Sequence, residues 1–505
     1  MVITFNTIPA NQLASGIFIE EQPGPVNVAS LVLPEAIAIL GQVTGGKTPA
    51  WNLPQLLRSA TDAVTYYGAG SQLHVLANAV FSGCGSVPVY AFPLQDGVGA
   101  AATGTIVVAG PATSAGTIAL YIEGNQVLVN VNSGDSAATI GGNIATAINA
   151  ATLYSGAPAG SLPVSASGTT TVTLTARWKG LTGNNITVIQ DMGPTDKSLE
   201  PTGVSLTIGS PLTGGTIDPD PGTALGNFGS RWYTWVVFPY QGSTAITELA
   251  TAWNTRLGYG VMAPFVAVIG SQLDSGAFIS LVSPLNTPFV YLPVQGGPEL
   301  PEEIAAAAVG VCAASAQADP FRPFRTLTLP GIHQGTIADW SGATKQLVEL
   351  AGGATCNLMA DGTVHLNDMV TTYKTNSQGA LDPSWQYAET ISNVQAKLYS
   401  MQAMFAQPPY DRAIVVDDTT LSNKPYVVSP KSVKAAMINL IDNNWILNCG
   451  SKNRASIVGS LVTMINSGNA GRIDVNFVDT IAQGLRVIAV AYQWSFFPVG
   501  NAVQN

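Results

Sequence analysis

The chain has 505 residues and a mass of 52.2 kDa, room for about three domains of ordinary size. Twenty Lys plus Arg against thirty Asp plus Glu leave a net charge of -10, with no basic stretch to neutralise phosphates, which argues against a primary nucleic-acid binder. Charged residues are only 10% and the mean hydropathy is +0.27, so the polar surface must be built from Thr, Ser, Asn, Gln and Gly, or be covered by partners in a large assembly.

No segment reads as a membrane span. The longest uncharged run of small apolar residues, Ile304 to Ala318, is broken by Ser315 and Gln317, whereas a spanning helix needs about 20 strongly apolar residues. The opening Met-Val-Ile-Thr-Phe-Asn has neither the basic region nor the apolar core of a signal peptide. Cys84, Cys312, Cys356 and Cys449 are far apart with no metal-like spacing, and are expected as reduced core residues of a protein made in the cytosol.

In chain order, residues 1–27 are short apolar pieces punctuated by Pro9, Gly16, Pro23, Gly24 and Pro25. They have no local core, and predict an arm that lies on something else. Leu31 to Leu40 is expected as a buried strand, Leu53 to Phe81 as two short helices around Gly68-Ala69-Gly70, and Pro88 to Phe92 as a second strand. The texture changes near Asp96. From 98 to 215 charge is sparse amid Gly, Thr, Ser and β-branched residues. Short strands are expected there at Thr105 to Val108, Ile118 to Ile122, Val127 to Val131, Val172 to Thr175 and Ile186 to Ile189. Between them, Ile140, Ile144 and Ile148 recur at helical spacing after a start signal at Asp135, predicting a helix from Ser136 to Ala151. This β-rich insert ends at Asp218-Pro219-Asp220-Pro221-Gly222.

Strands at Trp232 to Pro239, Met262 to Ile269 and Phe289 to Pro293 then alternate with helices at Thr244 to Leu257 and Glu302 to Ala318. That alternation predicts an α/β core over 28–97 and 216–329, split in sequence by the insert. A third, α+β domain is expected over 330–470, with a hairpin at Cys356 to Val370 turning at Asp361-Gly362 and long helices at Ser384 to Gln407 and Lys431 to Asn448. The last region, 471–505, predicts two strands, Arg472 to Phe477 and Leu485 to Phe496. The second is apolar on both faces: Ile488, Val490, Tyr492, Trp494 and Phe496 on one, Val487, Ala489 and Ala491 on the other. A strand with two apolar faces must be sandwiched, and at this position another subunit is a candidate cover. The inter-subunit strand residues expected are therefore Ile17, Phe18, Ile19 and Glu20 in the first arm and Ile473, Val475, Phe477, Val487, Ile488, Val490, Tyr492 and Trp494 in the second.

Gly41-Gln42-Val43-Thr44-Gly45-Gly46-Lys47-Thr48 matches the phosphate-loop pattern after an apolar strand, which keeps a nucleotide-binding protein as an alternative. Pro49 and Pro54 lie within the first two turns of the helix this motif requires, however, and a Gly-rich surface loop fits better. His74, His333 and His365 have no second His or Cys at ligand spacing. His333-Gln334-Gly335-Thr336 is weakly like a serine-protease histidine loop, without a serine elbow or a carboxylate placed to orient the ring. Glu302-Glu303 and Asp417-Asp418 are adjacent carboxylates whose side chains diverge, so helix N-terminal charge or surface solvation explains them. No catalytic residue, cofactor or metal is expected. A surface-layer or adhesin-like protein would suit the Thr/Gly-rich insert, against the lack of a signal sequence.

The pieces together resemble the tail sheath proteins of contractile-tailed phages, of the Mu-like kind. Ser15-Gly16-Ile17-Phe18-Ile19-Glu20-Glu21 is similar to the family's N-terminal strand motif, with Ser15 where proline is common. Asp319-Pro320-Phe321-Arg322-Pro323-Phe324-Arg325-Thr326-Leu327-Thr328-Leu329-Pro330-Gly331 resembles the run linking its middle and C-terminal domains. The most specific match is Asp361-Gly362-Thr363-Val364-His365 through Met369-Val370-Thr371-Thr372-Tyr373-Lys374-Thr375-Asn376, followed by Val427-Val428-Ser429-Pro430-Lys431. The resemblance covers nearly the whole chain. It implies a subtilisin-like α/β core used without catalytic residues, split by the inserted β-rich domain, with an α+β C-terminal domain and extended N- and C-terminal arms woven into neighbouring subunits. It also implies stacked six-subunit rings around a tail tube, contraction that drives the tube through the bacterial envelope, and partners in the tube, baseplate and tail terminator proteins. The location implied is the virion tail, assembled in the host cytoplasm. The sheath of a headless phage-tail-like bacteriocin is the alternative within this class.

Overall fold

Strands buried on both faces read as unbroken apolar runs rather than alternating ones, and Ile37–Gln42, with all six residues buried, is such a run. In the computed structural model, which describes residues 31–333, 339–420, 424–492 and 494, this strand lies inside a six-stranded sheet. The order is Phe289–Pro293, Val266–Ser271, Trp235–Val237, Ile37–Gln42, Val89–Leu94, Gln55–Leu57. The first five are parallel, with Ile37 facing Trp235 on one side and Val89 on the other; the edge strand Gln55–Leu57 is antiparallel. The helical expectation from Leu53 onward thus fails at its start. Pro54 disfavours a helix there, and the chain adds an edge strand before the helices Ala60–Tyr67 and Gln72–Phe81.

Helices cover both faces of this sheet. On one, Ile37, Ile39, Val89, Trp235, Val268 and Leu292 pack with the two early helices and with the Ala-rich helix Pro301–Ala318. On the other, Ala38, Leu40, Phe92, Val236, Phe238 and Tyr291 meet Leu249 and Trp253 of the helix Ser243–Leu257 and Phe278 of the helix Ser275–Val282, the last unforeseen in the sequence. Gly270 lets the Ala-rich helix approach closely, since a Cβ there would sit 1.5 Å from the Pro301 carbonyl oxygen.

Residues 101–208 form two small antiparallel sheets around a separate apolar cluster. Ser205–Ile208, Ala101–Ala109, Thr171–Lys179 and Val164–Gly168 make one; Asn125–Val131, Gly116–Ile122 and Val188–Gln190 make the other. Burial alternates along Thr171–Lys179, as in a half-buried strand. The helix Ala137–Ala150 turns Ile140, Ile144 and Ile148 into the cluster. Its N-cap is Ser136, which accepts from the Thr139 N–H at 3.2 Å, while Asp135 accepts from the Asn132 N–H in the preceding turn. The two chain crossings into this region touch: Ala100 N–H donates to Thr216 Oγ1 at 3.0 Å and Thr216 N–H to the Ala100 carbonyl at 3.2 Å.

Beyond the Ala-rich helix, Thr328–His333, Thr363–Asp368 and Thr355–Leu358 form a three-stranded antiparallel sheet. Leu329, Ile332, Val364 and Leu366 from it join the apolar cluster of the core sheet, so the boundary drawn at 329/330 falls inside one strand and one core. The helix Ala388–Phe405 reaches the core through Gln395, whose Nε2 donates to the Thr234 and Pro264 carbonyls. Pro430–Leu440 starts at a Ser429/Ser432 capping box and passes into a wider turn at Ile441–Ile446, where one helix to Asn448 was expected. Met437, Leu440, Ile441, Trp445, Ile457 and Leu461 form a satellite cluster. Against it lies an antiparallel hairpin of Val462–Asn466 and Asn469–Asn476, whose first strand the sequence did not reveal.

Candidate assembly surface

Ile473 and Val475 lie in the second hairpin strand, paired with Ile465 and Thr463 of their own chain. Val475 and the following Phe477 rest on the satellite cluster, the Phe477 ring 5.7 Å from that of Trp445. The chain is then fastened twice. Lys397 Nζ, itself buried, reaches the partly buried Asp479 Oδ2 at 2.5 Å, and also donates to the Gly450 carbonyl and to Ser451 Oγ. Arg486 pairs with Glu389 and, at 3.3 Å, with Asp368, and its guanidinium stacks 3.5 Å from the centre of the Tyr387 ring. Burial raises the carboxyl pKa values of Glu389 and Asp368, and the nearby arginines oppose the rise. Neither fastening was read from the sequence, because each joins residues some 80 to 120 positions apart with no local motif.

Around this clamp the expected strand Leu485 to Phe496 has no ladder over its described residues in the single chain. Its described residues, 485–492 and 494, carry neither strand nor helix. Val487, Ile488, Val490, Tyr492 and Trp494 are 65 to 81% exposed. A strand needs a partner for its backbone groups, and among the described residues no ladder pairs with 485–492. The result is a run of exposed apolar side chains along the segment. Ile17, Phe18, Ile19 and Glu20 lie outside the described residues; Ile473, Val475 and Phe477 sit on the hairpin and its satellite cluster, and Val487 to Trp494 follow beyond the Arg486 clamp.

The remaining sequence candidates occupy ordinary structural positions. In the phosphate-loop segment, Gly41 sits inside the strand Ile37–Gln42, Lys47 Nζ donates to the Thr65 carbonyl at 2.9 Å, and the next helix begins only at Ala60. His74 is buried; its Nδ1 accepts from the Gly70 N–H at 3.2 Å, and burial lowers its pKa to about 4, which keeps it neutral. His365 Nε2 lies 3.2 Å from Thr328 Oγ1. Two expectations are corrected. A carboxylate does face His333, Glu299 Oε1 at 2.6 Å from Nδ1. Glu302 and Glu303 do stand in the first turn of the Ala-rich helix, as helix N-terminal charge requires, but they are buried rather than solvated, because that helix begins beneath the inserted region. Cys84, Cys312 and Cys356 are buried as expected, but Cys449 is exposed. Among the described residues no helix is long and apolar enough to cross a membrane.

The fold thus defines a mixed α and β protein with an exposed apolar segment fastened to its core by two ionic clamps. No family model matches the chain. The sequence is 26% identical over 450 residues, 87% of this chain and 89% of the relative, to the Mu-like prophage FluMu tail sheath protein of Haemophilus influenzae. The chain is a homologue of a Mu-like tail sheath protein, as its motifs indicated. Among solved structures, it is similar to the sheath tail protein of Desulfitobacterium hafniense, with TM-score 0.46, 11% identity, and coverage of 92% of this chain and 100% of that one. The sheath tail protein of Listeria innocua gives TM-score 0.45 at 10% identity, covering 89% and 95% of the two chains.

Proposed function

We propose that this protein is the structural subunit of a contractile tail sheath. Copies assemble as stacked six-subunit rings around a tail tube, and contraction of the lattice drives the tube through a bacterial envelope. The observation that carries the reading is the likeness to the Haemophilus influenzae tail sheath protein along nearly the full length of both chains. The exposed apolar run from Val487 to Trp494 supports it physically, since a polymer would cover that run with a neighbouring copy. The low charge also fits a surface largely enclosed by partners.

In this reading the protein is not an enzyme, and its working energy is conformational. An extended lattice assembled in a metastable state releases a modest free energy per subunit as it rearranges, and the release is cooperative. Arms exchanged as strands would keep subunits connected while rigid cores rotate, each main-chain hydrogen bond contributing about 1 kcal/mol net. The tube, baseplate and tail terminator are the further partners proposed. The α/β core with helices on both faces of a mainly parallel sheet is compatible with the subtilisin-like architecture that the motifs imply. Negative-stain microscopy of the purified full-length chain tests the proposal. Tubular polymers with six-fold cross-section are expected; a protein that stays monomeric at all concentrations and salt conditions would overturn it.

A further inference from the structure

One contact between the inserted region and the core sets carboxyl groups against one another. The hairpin of Gly116–Ile122 and Asn125–Val131 turns through Glu123 and Gly124, with φ of +48° and +73°. Two-residue turns of this hand favour Asn-Gly or Gly-Gly, because a side chain other than Asn or Asp is costly at positive φ. A glutamate is held there against that preference, and it points inward. Glu123 is 2% exposed, and neither of its carboxyl oxygens has a hydrogen-bond partner. It faces Glu299, Glu302 and Glu303, at the start of the Ala-rich helix of the core. These three are 2%, 1% and 7% exposed, and one oxygen each of Glu302 and Glu303 is also unpartnered. The approach is close: a Cβ on Gly124 would sit 2.8 Å from Glu299 Oε1, and Thr187 Oγ1 of the inserted region donates to the Pro298 carbonyl at 2.6 Å.

The surroundings offer little positive charge. His333 Nδ1 binds Glu299, Gln72 Nε2 donates to Glu302 Oε1 at 2.8 Å, and Asp218 adds a further negative charge near Glu302. Buried carboxylates facing one another cannot all ionise. We propose that Glu123, set among Glu299, Glu302 and Glu303, is a proton-held latch that fixes the inserted β-rich region to the α/β core. Protonated, Glu123, Glu302 and Glu303 pack beside Glu299 and its His333 partner without repulsion; ionised, they repel and draw in water, and the hairpin lifts from the helix start.

Burial, reinforced by the neighbouring glutamates, holds Glu123 and Glu303 well above the usual carboxylate range, and burial raises Glu302 to about 7. A carboxyl whose docked pKa is raised binds more protons docked than released. The latch is therefore strongest below about pH 4.5, the ordinary glutamate range, and is lost as pH climbs through the docked values. His333 acts in the same direction, because its pKa is raised by the hydrogen bond to Glu299 and its charge disappears on the alkaline side.

Hydrogen exchange on the full chain, corrected for the intrinsic pH dependence of exchange, tests the latch. Protection at residues 116–131 and 298–304 is expected to fall at least tenfold between pH 6 and 9, while the core strand Ile37–Gln42 stays protected. In Glu123→Gln, which cannot ionise, protection at pH 9 should exceed wild type by at least tenfold. Glu303→Gln should reduce the pH response in the same direction and serves where the first variant folds poorly. A flat wild-type profile, an equal loss in Ile37–Gln42, or a glutamine variant that follows the wild type would each overturn the latch. The measurement does not depend on polymer formation, so its failure is distinct from failure of the sheath reading.

Discussion

Lys397 carries its ammonium into the interior and meets Asp479 Oδ2 at 2.5 Å, with the Gly450 carbonyl and Ser451 Oγ each at 2.8 Å and the Trp445 ring centre 5.5 Å away. Asp479 takes a second bond from Ser451 Oγ. Every donor on the ammonium is therefore used, which is the condition under which a buried pair is tolerated. Desolvation lowers the Lys397 pKa and the Asp479 hydrogen bond opposes this. Replacing Lys397 with Met leaves the partly buried Asp479 without its cation, at a cost of about 1–3 kcal/mol. Urea unfolding should show the loss as a lower midpoint at unchanged slope. Adding Asp479→Leu should recover part of it, because the orphaned charge is what is expensive. A single variant within about 0.5 kcal/mol of wild type would mean that the pair does not fasten the base of the C-terminal segment.

At the scale of elements, the C-terminal segment leaves apolar side chains exposed to water. Covering a side chain such as Val, Ile or Trp contributes about 1.5–3 kcal/mol, and five of them stand exposed between Val487 and Trp494. If a neighbouring copy covers them as an added strand, Val490→Pro removes a ladder donor and should abolish polymers while leaving the thermal melt of the isolated chain unchanged. Sedimentation paired with circular dichroism reads both; normal polymers from Val490→Pro would show that the segment does not pair between subunits. Elements whose cover is local were legible in the sequence. Phe289–Pro293 and Ser243–Leu257 lie almost where their periodicity put them. What escaped was decided at long range. The edge strand Gln55–Leu57 exists because Val89–Leu94 offers it a ladder, and the Glu302-Glu303 pair is buried because a hairpin from the inserted region lands on it. The apolar run from Val487 onward is plain in the composition, but the Arg486 and Lys397 clamps that fasten it have no signature in adjacent residues.

At the scale of the whole molecule, the inserted region is a unit with its own core and a narrow attachment. Its crossings touch at Ala100 and Thr216, and a Cβ on Gly97 would lie 3.4 Å from the Ile217 carbonyl oxygen, so a short bridge can replace residues 98–215 without moving either flank. The six-stranded sheet draws no strand from that region. Deletion is not free, however. Val75 and Leu300 of the core are buried in the inserted region's apolar cluster, and His74 loses Tyr154, 3.4 Å from its Nε2. Exposing two apolar side chains of this size costs about 3–6 kcal/mol in lost burial, while Glu299, Glu302 and Glu303 gain water and lose their mutual crowding with Glu123. The expected outcome for a chain bridged by a few Gly and Ser residues, with Leu300→Ser to remove the new apolar patch, is a folded core that still polymerises. Circular dichroism and negative-stain microscopy on that one protein separate the possibilities. Tubes of reduced outer diameter would place the inserted region on the outside of the lattice and make it dispensable for assembly. A folded chain that never forms tubes would instead make it a lattice element, and the compositional break at Asp96 would then mark a specialised contact rather than a decoration.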